Sequence, residues 1–253
     1  MRGMSSSDSA DGTIRPRAAG FATTHWSLVI SAGRPDEPAA RQALAELCEA
    51  YWYPLYAYVR RRVGSVPDAQ DITQAFFTHL LEKQTIGRAD RTRGRFRAFL
   101  LTALNHFLLN EWEKARADKR GGGRAMLSLD FDSGESRYRL EPLDELTPET
   151  LYERRWVLTL LEEVLERLRR ELSETGKTAY FEPLKIAITG DATAADYGRA
   201  AKKLGLTVPA AKQAGYRLRK RYRQLFRAEV LRTVVDETEV DPEIRRMLDV
   251  LAS

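Results

Sequence analysis

Apolar residues at Phe96, Phe99, Leu100, Ala103, Leu104, Phe107, Leu108 and Trp112 follow one stripe of a 3.6-residue helix. Beyond that stripe Lys114, Arg116, Lys119 and Arg120 take over, and the glycines Gly121 to Gly123 free the backbone and end the helix. The pattern between Gly94 and Arg124 therefore predicts a helix that is buried for most of its length and cationic at its end. Upstream, a helix is predicted from about Ala39 through Tyr51, followed by an aromatic and basic run from Pro54 to Val63. After the turn at Gly64-Ser65, a further helix opens at Pro67-Asp68. Its sequence, DAQDITQAFFTHLLEK, places Ile72, Phe76, Phe77, Leu80 and Leu81 on one face. Asp68 and Asp71 sit in the first turn, where the helix dipole favours acids. The short apolar segment FATTHWSLVI, Phe21 to Ile30, is expected to pack on the same domain.

The period vanishes between Gly121 and Thr150. From Ser128 to Thr150 there are seven acidic and two basic residues, with Pro142 and Pro148, which reads as an acidic linker carrying at most a short ordered piece at LSLDF. Thirty residues of linker span at most about 100 Å at ~3.3 Å each. Periodicity resumes at Leu151, with Val157, Leu160, Leu161, Val164, Leu165, Leu168 and Leu172 on one stripe. A short helix follows at Tyr180 to Ile188. A last helix, EIRRMLDVLA, is expected to be capped by Asp241-Pro242 and to dock its Ile244, Met247, Leu248 and Leu251 face. The fold class is therefore all-α, as two helical domains joined by an acidic linker. The expected boundaries are a disordered tail at 1–20, a first domain at 21–120, a linker at 121–150, a second domain at 151–235 and a helical extension at 236–253.

Composition adds limits. With 43% hydrophobic and 30% charged residues the chain is ordinary for a globular protein. The single cysteine, Cys48, excludes an internal disulfide and a cysteine-based zinc cluster, and its helical context reads as a buried thiol. No apolar run reaches the ~18 residues that span a bilayer. The first residues lack an apolar signal core, so no membrane contact and a cytoplasmic location are expected. Net charge is only +5, but it is unevenly placed. Arg88 to Arg124 holds ten basic and four acidic residues, and Val208 to Arg227 holds seven basic and no acidic ones. Two cationic segments on a near-neutral scaffold fit two contacts with nucleic acid, with two solvated basic faces as the plainer alternative.

The chemistry is concentrated in TAADYGRAAKKLGLTVPAAKQAGYRLRKRYRQLFR, Thr193 to Arg227. Thr193 and Asp196 form a capping box, Gly205 follows Ala201 by four, and Thr207 caps a second helix that tolerates Pro209 in its first turn. This is the pattern of a helix-turn-helix. Lys212, Gln213, Tyr216, Arg217, Arg219 and Lys220 lie on its second helix, where Arg and Lys suit guanine edges, Gln suits adenine, and the remaining cations suit phosphates. Gly215 inside that helix costs about 1 kcal/mol relative to alanine, so it either admits close approach to DNA or is simply tolerated. His25, His79 and His106 are scattered without metal-ligand spacing, and there is neither a glycine-rich phosphate loop nor a serine-nucleophile motif. No cofactor, no metal and no enzymatic activity are expected.

The order of these parts resembles the extracytoplasmic-function (ECF) sigma factors of the sigma-70 superfamily, over roughly Phe21 to Val235. DAQDITQAFFTHLLEK looks like the helix of sigma region 2 that docks on core RNA polymerase. The resemblance places Asp71, Gln74, Phe77 and Leu80 at polymerase-binding positions. GRFRAFLLTALNHFLLNEWEKARADKR looks like the part that opens and reads the minus-ten promoter element, with Asn105, His106, Asn110, Lys114 and Arg116 at DNA-contact positions. The helix-turn-helix resembles region 4, which reads the minus-thirty-five element through Lys212, Gln213, Tyr216, Arg217, Arg219 and Lys220. His106 and Asn110 stand where many members have Asn and Asp, and Ala211 and Gly215 replace larger aliphatics, which bears on base preference.

The resemblance implies a factor that binds core RNA polymerase and directs promoter recognition and opening, with an anti-sigma factor as a further candidate partner. Two promoter elements about two DNA turns apart lie near 70 Å from each other, at ~34–36 Å per turn. The linker spans that distance only when fairly extended. The residues also fit a free-standing helix-turn-helix regulator that binds duplex DNA without polymerase.

Overall fold

The computed structural model describes residues 26–34, 39–82, 85–117, 129–141, 146–189 and 192–252, with the side chains of 112–117 outside the described set. Among the described residues the fold is all-α, as the sequence predicts. The proposed tail, residues 21–25 and Gly121 to Gly123 lie outside the described residues.

The first core is built on α2 (Ala39–Val63), against which α1 (Trp26–Ala32), α3 (Val66–Glu82) and α4 (Phe96–Ala117) assemble. The sequence reads α2 as two runs meeting near Pro54, but it is one continuous helix with Pro54 inside. An interior proline removes a hydrogen bond and crowds the preceding turn, at a cost of about 3 kcal/mol. Tyr51, Tyr53, Leu55, Tyr56, Ala57, Tyr58 and Val59 surround it and are all buried, so packing on every side of the helix outweighs that local cost. Phe96, Leu100, Leu104, Phe107 and Leu108 of α4 enter the same core, which bears out the predicted stripe as far as Leu108, the Trp112 side chain lying outside the described residues. Gly64, with φ of +73°, makes the turn into α3. Cys48 is buried as expected, and burial, with Glu49 nearby, pushes its thiol up to about 12, so it stays protonated.

The segment read as an aperiodic linker contains α5 (Phe131–Tyr138), capped by Asp130, whose carboxylate accepts from the Ser133 amide at 3.1 Å. This helix lies across α2. Tyr56 donates to Glu135 at 2.7 Å, Arg60 donates to the same carboxylate at 3.2 Å, and Tyr53 donates to Glu141 at 2.8 Å. Burial alone would raise the Glu135 carboxyl, but these donors hold it below its ordinary range. Glu135 and Glu141 are thus ligands for the tyrosine-and-arginine face of α2, a pairing that no periodicity could show.

Helix α6 (Pro148–Glu174) has Thr147 as its N-cap, and its 27 residues make it about 40 Å long. Leu151, Tyr152, Trp156, Val157 and Leu160 pack with α2, whereas Val164 and Leu168 belong to a second core. That core is completed by α7 (Phe181–Leu184), α8 (Ile186–Thr189), α9 (Ala194–Leu204) and the first two-thirds of α10 (Val208–Thr233). The far end of α10 returns to the first core through Val230, followed by Val234. Helix α11 (Val240–Ala252) starts a turn earlier than expected, so Asp241 and Pro242 sit in its first turn instead of capping it. Its Met247, Ile244 and Leu251 dock on the first core as anticipated, but Leu248 faces solvent.

Because α6 and α10 each serve both cores, the whole chain should unfold in one transition. Trp156→Ala removes a ring that donates to the Tyr51 hydroxyl at 3.0 Å and packs in the first core. It should cost about 3–5 kcal/mol, read as a shifted single urea midpoint by near- and far-UV circular dichroism together. Two separated transitions would contradict this reading of the shared helices.

Candidate nucleic-acid interface

The two helices α9 and α10 are joined by three residues whose chemistry fixes the bend. Thr193 and Asp196 form the expected capping box, with the Thr193 amide donating to Asp196 at 2.8 Å and the Asp196 amide donating to Thr193 at 3.3 Å. Gly205 sits at φ +65°, where a side chain is unfavourable, and the Leu206 amide donates back to the Ala201 carbonyl at 2.9 Å. Thr207 then accepts from the Ala210 amide at 3.3 Å and starts α10.

On α10, Lys212, Gln213, Arg217 and Lys220 are exposed, and Tyr216 is 62% exposed. Lys202 and Lys203 of α9 are exposed as well. Arg219 belongs to the same predicted set, but its Nε donates to the Ala187 carbonyl at 2.5 Å, so it fastens α10 to α8. Arg221 makes a bidentate pair with Glu171, at 2.7 and 2.8 Å, and fastens α10 to α6. Gly215 is explained by packing. A Cβ there would lie 2.8 Å from the Tyr197 ring and 3.2 Å from the Ala187 Cβ, so the position is internal to the helix crossing and not an opening toward a ligand.

The polar face of α4 carries the second predicted set. His106 and Asn110 are exposed, and beside them Leu109 is 57% exposed, an apolar group that the stripe does not account for. Asn105 is only partly exposed. Its Oδ1 accepts from the Tyr58 hydroxyl and from Arg62 Nη1, both at 2.7 Å, and Tyr58 also reaches Glu149 at 3.1 Å. An arginine can only donate, so the oxygen of the amide must face it. Lys114 and Arg116 lie on the last turns of α4, with side chains outside the described residues.

On α3, Asp71 is exposed and Gln74 partly so. Phe77 and Leu80 are buried in the first core, Phe77 against Phe76, so in the free chain Asp71 and Gln74 are the members of this set that reach the surface. Positions three apart on a helix share its apolar stripe, and Phe77 and Leu80 are used there. The outward face of α3 is instead acidic and polar, with Asp68, Asp71 and Glu82 exposed.

Sequence reasoning missed Tyr58, Arg62, Arg97, Glu153 and Glu243. Arg97 is 2% exposed. Its Nε donates to Glu153 at 2.8 Å, its Nη2 donates to Glu243 at 2.5 Å, and its guanidinium lies 4.1 Å from the Trp156 ring centre. Burial works against its charge, but the two carboxylates outweigh it and raise its pKa. A signal did exist. Arg97 precedes Leu100 and Leu104 by three and seven, and Glu243 precedes Met247 by four, so each charge lies on an apolar face. Among the described residues no group of His, Cys, Asp and Glu could hold a metal ion, and no helix is long and apolar enough to cross a membrane.

Residues 47–117 match the family model of sigma-70 region 2. The matched segment starts within α2 and ends with α4, taking in α3 and both faces described above. The match covers less than half of the chain and is a likeness of that segment to sigma-70 region 2. No curated protein and no solved structure matched the chain.

The two helical glycines of α9 and α10 give a paired test. Gly215→Val should lower stability by roughly 1–3 kcal/mol, because the added atoms meet Tyr197 and Ala187. Gly198→Ala, where a Cβ meets nothing within 4 Å, should raise it by up to about 1 kcal/mol. Thermal melts of both variants read the difference, and a harmless Gly215→Val would show that the crossing is loose.

Proposed function

We propose that this chain is a sigma factor of the ECF type that joins core RNA polymerase and directs promoter recognition and opening. The observation that carries this is the region 2 match falling on α2, α3 and α4, whose outward faces carry complementary chemistry. The acidic and polar face of α3, with Asp68, Asp71 and Gln74, is the polymerase contact. The face of α4 with Asn105, His106, Leu109 and Asn110, continued by Lys114 and Arg116, meets the minus-ten element. An unstacked base costs only a few kcal/mol per step, which polymerase and phosphate contacts offset. Helices α9 and α10 act as a helix-turn-helix for the minus-thirty-five element, through Lys212, Gln213, Tyr216, Arg217 and Lys220. Arg219, fastened to α8, supports that helix from behind. Such a factor works in the cytoplasm beside polymerase, and a separate anti-sigma protein is a candidate regulator.

The alternative is a free-standing helix-turn-helix regulator, which would hold duplex DNA tightly without polymerase. The deciding experiment is to mix the chain with bacterial core polymerase, follow co-elution, and run transcription from genomic fragments. Gel shifts with and without core complete it. Co-elution and core-dependent DNA binding are expected; tight duplex binding with no core association would favour the regulator. Arg217→Ala and Lys220→Ala should each weaken minus-thirty-five-dependent initiation by about 1–3 kcal/mol and leave core binding intact, and lost core binding would contradict the placement.

A further inference from the structure

Two arginines that precede α4, Arg91 and Arg95, are already engaged, and their partners come from one place. Arg91 donates to the Val234 carbonyl from Nε at 3.1 Å and from Nη2 at 2.7 Å, and Nη2 also reaches the Val235 carbonyl at 2.7 Å. Arg95 pairs with Glu243, which is 0% exposed. Val234 and Val235 follow the last turn of α10, and Glu243 lies in the first turn of α11. The end of a helix carries carbonyls without intrahelical partners and the negative end of its dipole. The corner between α10 and α11 therefore offers two arginine forks what a phosphate offers, namely several anionic or partly anionic oxygens in reach of adjacent N–H groups.

We propose that the α10–α11 corner is an internal stand-in for phosphate. It occupies Arg91 and Arg95 in the free chain, and nucleic acid competes with it for them. This rests on the reading that the basic stretch before α4 faces nucleic acid. The contact divides into a fixed part and an exchangeable part. Arg97 is the fixed part, because it is buried between Glu153 and Glu243 and lies against Trp156. Arg91 is exposed and Arg95 partly exposed, so each can rotate outward while Glu243 keeps Arg97 as its partner. Arg88 and Arg93 lie exposed in the same stretch, Arg93 in a solvent-screened pair with Asp90, and give an incoming strand its first hold. Free chain binds nucleic acid weakly under this arrangement, because each phosphate contact at Arg91 or Arg95 must displace an internal one.

The test is the salt dependence of binding to a labelled single-stranded or duplex oligonucleotide by the full chain without polymerase. Glu243→Gln keeps the shape of the side chain but frees Arg95. It should bind severalfold more tightly with an unchanged slope of log K against log salt, because Arg95 reaches the same phosphate in both chains and only the internal competitor is gone. Adding Arg95→Ala to that variant should remove the gain in affinity and make the slope shallower by about 0.7–0.9, one phosphate contact fewer. Arg91→Ala removes an exposed side chain that meets the Val234 and Val235 carbonyls, and keeps the readout available if Glu243→Gln melts early by circular dichroism. It should make the slope shallower by about 0.7–0.9 if Arg91 changes partner on binding. Unchanged affinity in folded Glu243→Gln and an unchanged slope in Arg91→Ala would overturn the proposal. Association with core polymerase is a separate measurement, so a chain that ignores polymerase yet shows the tighter Glu243→Gln binding and the shallower Arg91→Ala slope would retain this inference and lose the sigma-factor reading.

Discussion

A single buried cation ties together three segments far apart in sequence. Arg97 at the start of α4 meets Glu153 of α6 and Glu243 of α11, with the ring of Trp156 beneath it. Taking these charges out of water costs several kcal/mol per ion, so the cluster adds little net stability over an apolar core. Its weight lies in specificity. A buried arginine with one carboxylate missing is far worse than one with both, so α6 and α11 must be in register with α4 for the core to close. The Tyr152 hydroxyl, donating to the Arg97 carbonyl at 2.9 Å, fixes the same register from the backbone side.

That constraint changes what the two cationic segments are. By sequence they are two charged patches, net +6 and +7. In the structure they are sorted by partner. Arg91, Arg95 and Arg97 serve internal carboxylates and carbonyls, and Arg219 and Arg221 fasten α10 to α8 and α6. Lys202, Lys203, Lys212, Arg217 and Lys220 project outward, with Arg88 and Arg93 before α4. Charge counting overstates an interface when arginines are used as struts, because the guanidinium fork suits carboxylates and helix-end carbonyls as well as phosphates.

The helices themselves were legible because burial imposes a 3.6-residue period, and the α9–α10 bend was legible because its caps are local hydrogen bonds. Tertiary effects were not. Pro54 reads as a break but lies inside a helix packed on all sides. The acidic stretch before α6 reads as solvated, yet Glu135 and Glu141 are taken up by the tyrosines and arginines of α2 and α6. Asn105 and His106 are neighbours in sequence, but only His106 is freely presented, since Tyr58 and Arg62 of another helix hold the Asn105 carbonyl. Each of these depends on which distant side chain arrives opposite, and a one-dimensional pattern carries no such information. Arg97 and Glu243 are an intermediate case, because opposite charges on two otherwise apolar faces do mark a pair, without saying which faces meet.

The shared helices also bear on reach. Helix α6, about 40 Å long at 1.5 Å per residue, holds both cores within its own length, and α10 repeats the connection. Promoter elements two DNA turns apart lie near 70 Å from each other, beyond that length. Under the sigma-factor reading, reaching both would draw on the seam between α2 and α6, where Tyr51 would separate from Trp156 and Arg97 from Glu153. Such a separation exposes apolar surface and strands a buried cation, so DNA alone is a poor driver of it. A protein partner that covers the exposed faces is a better one, because the new interface replaces the lost burial. Under the sigma-factor reading polymerase is that partner, and the same cluster that closes the free chain makes two-element recognition conditional on polymerase being present.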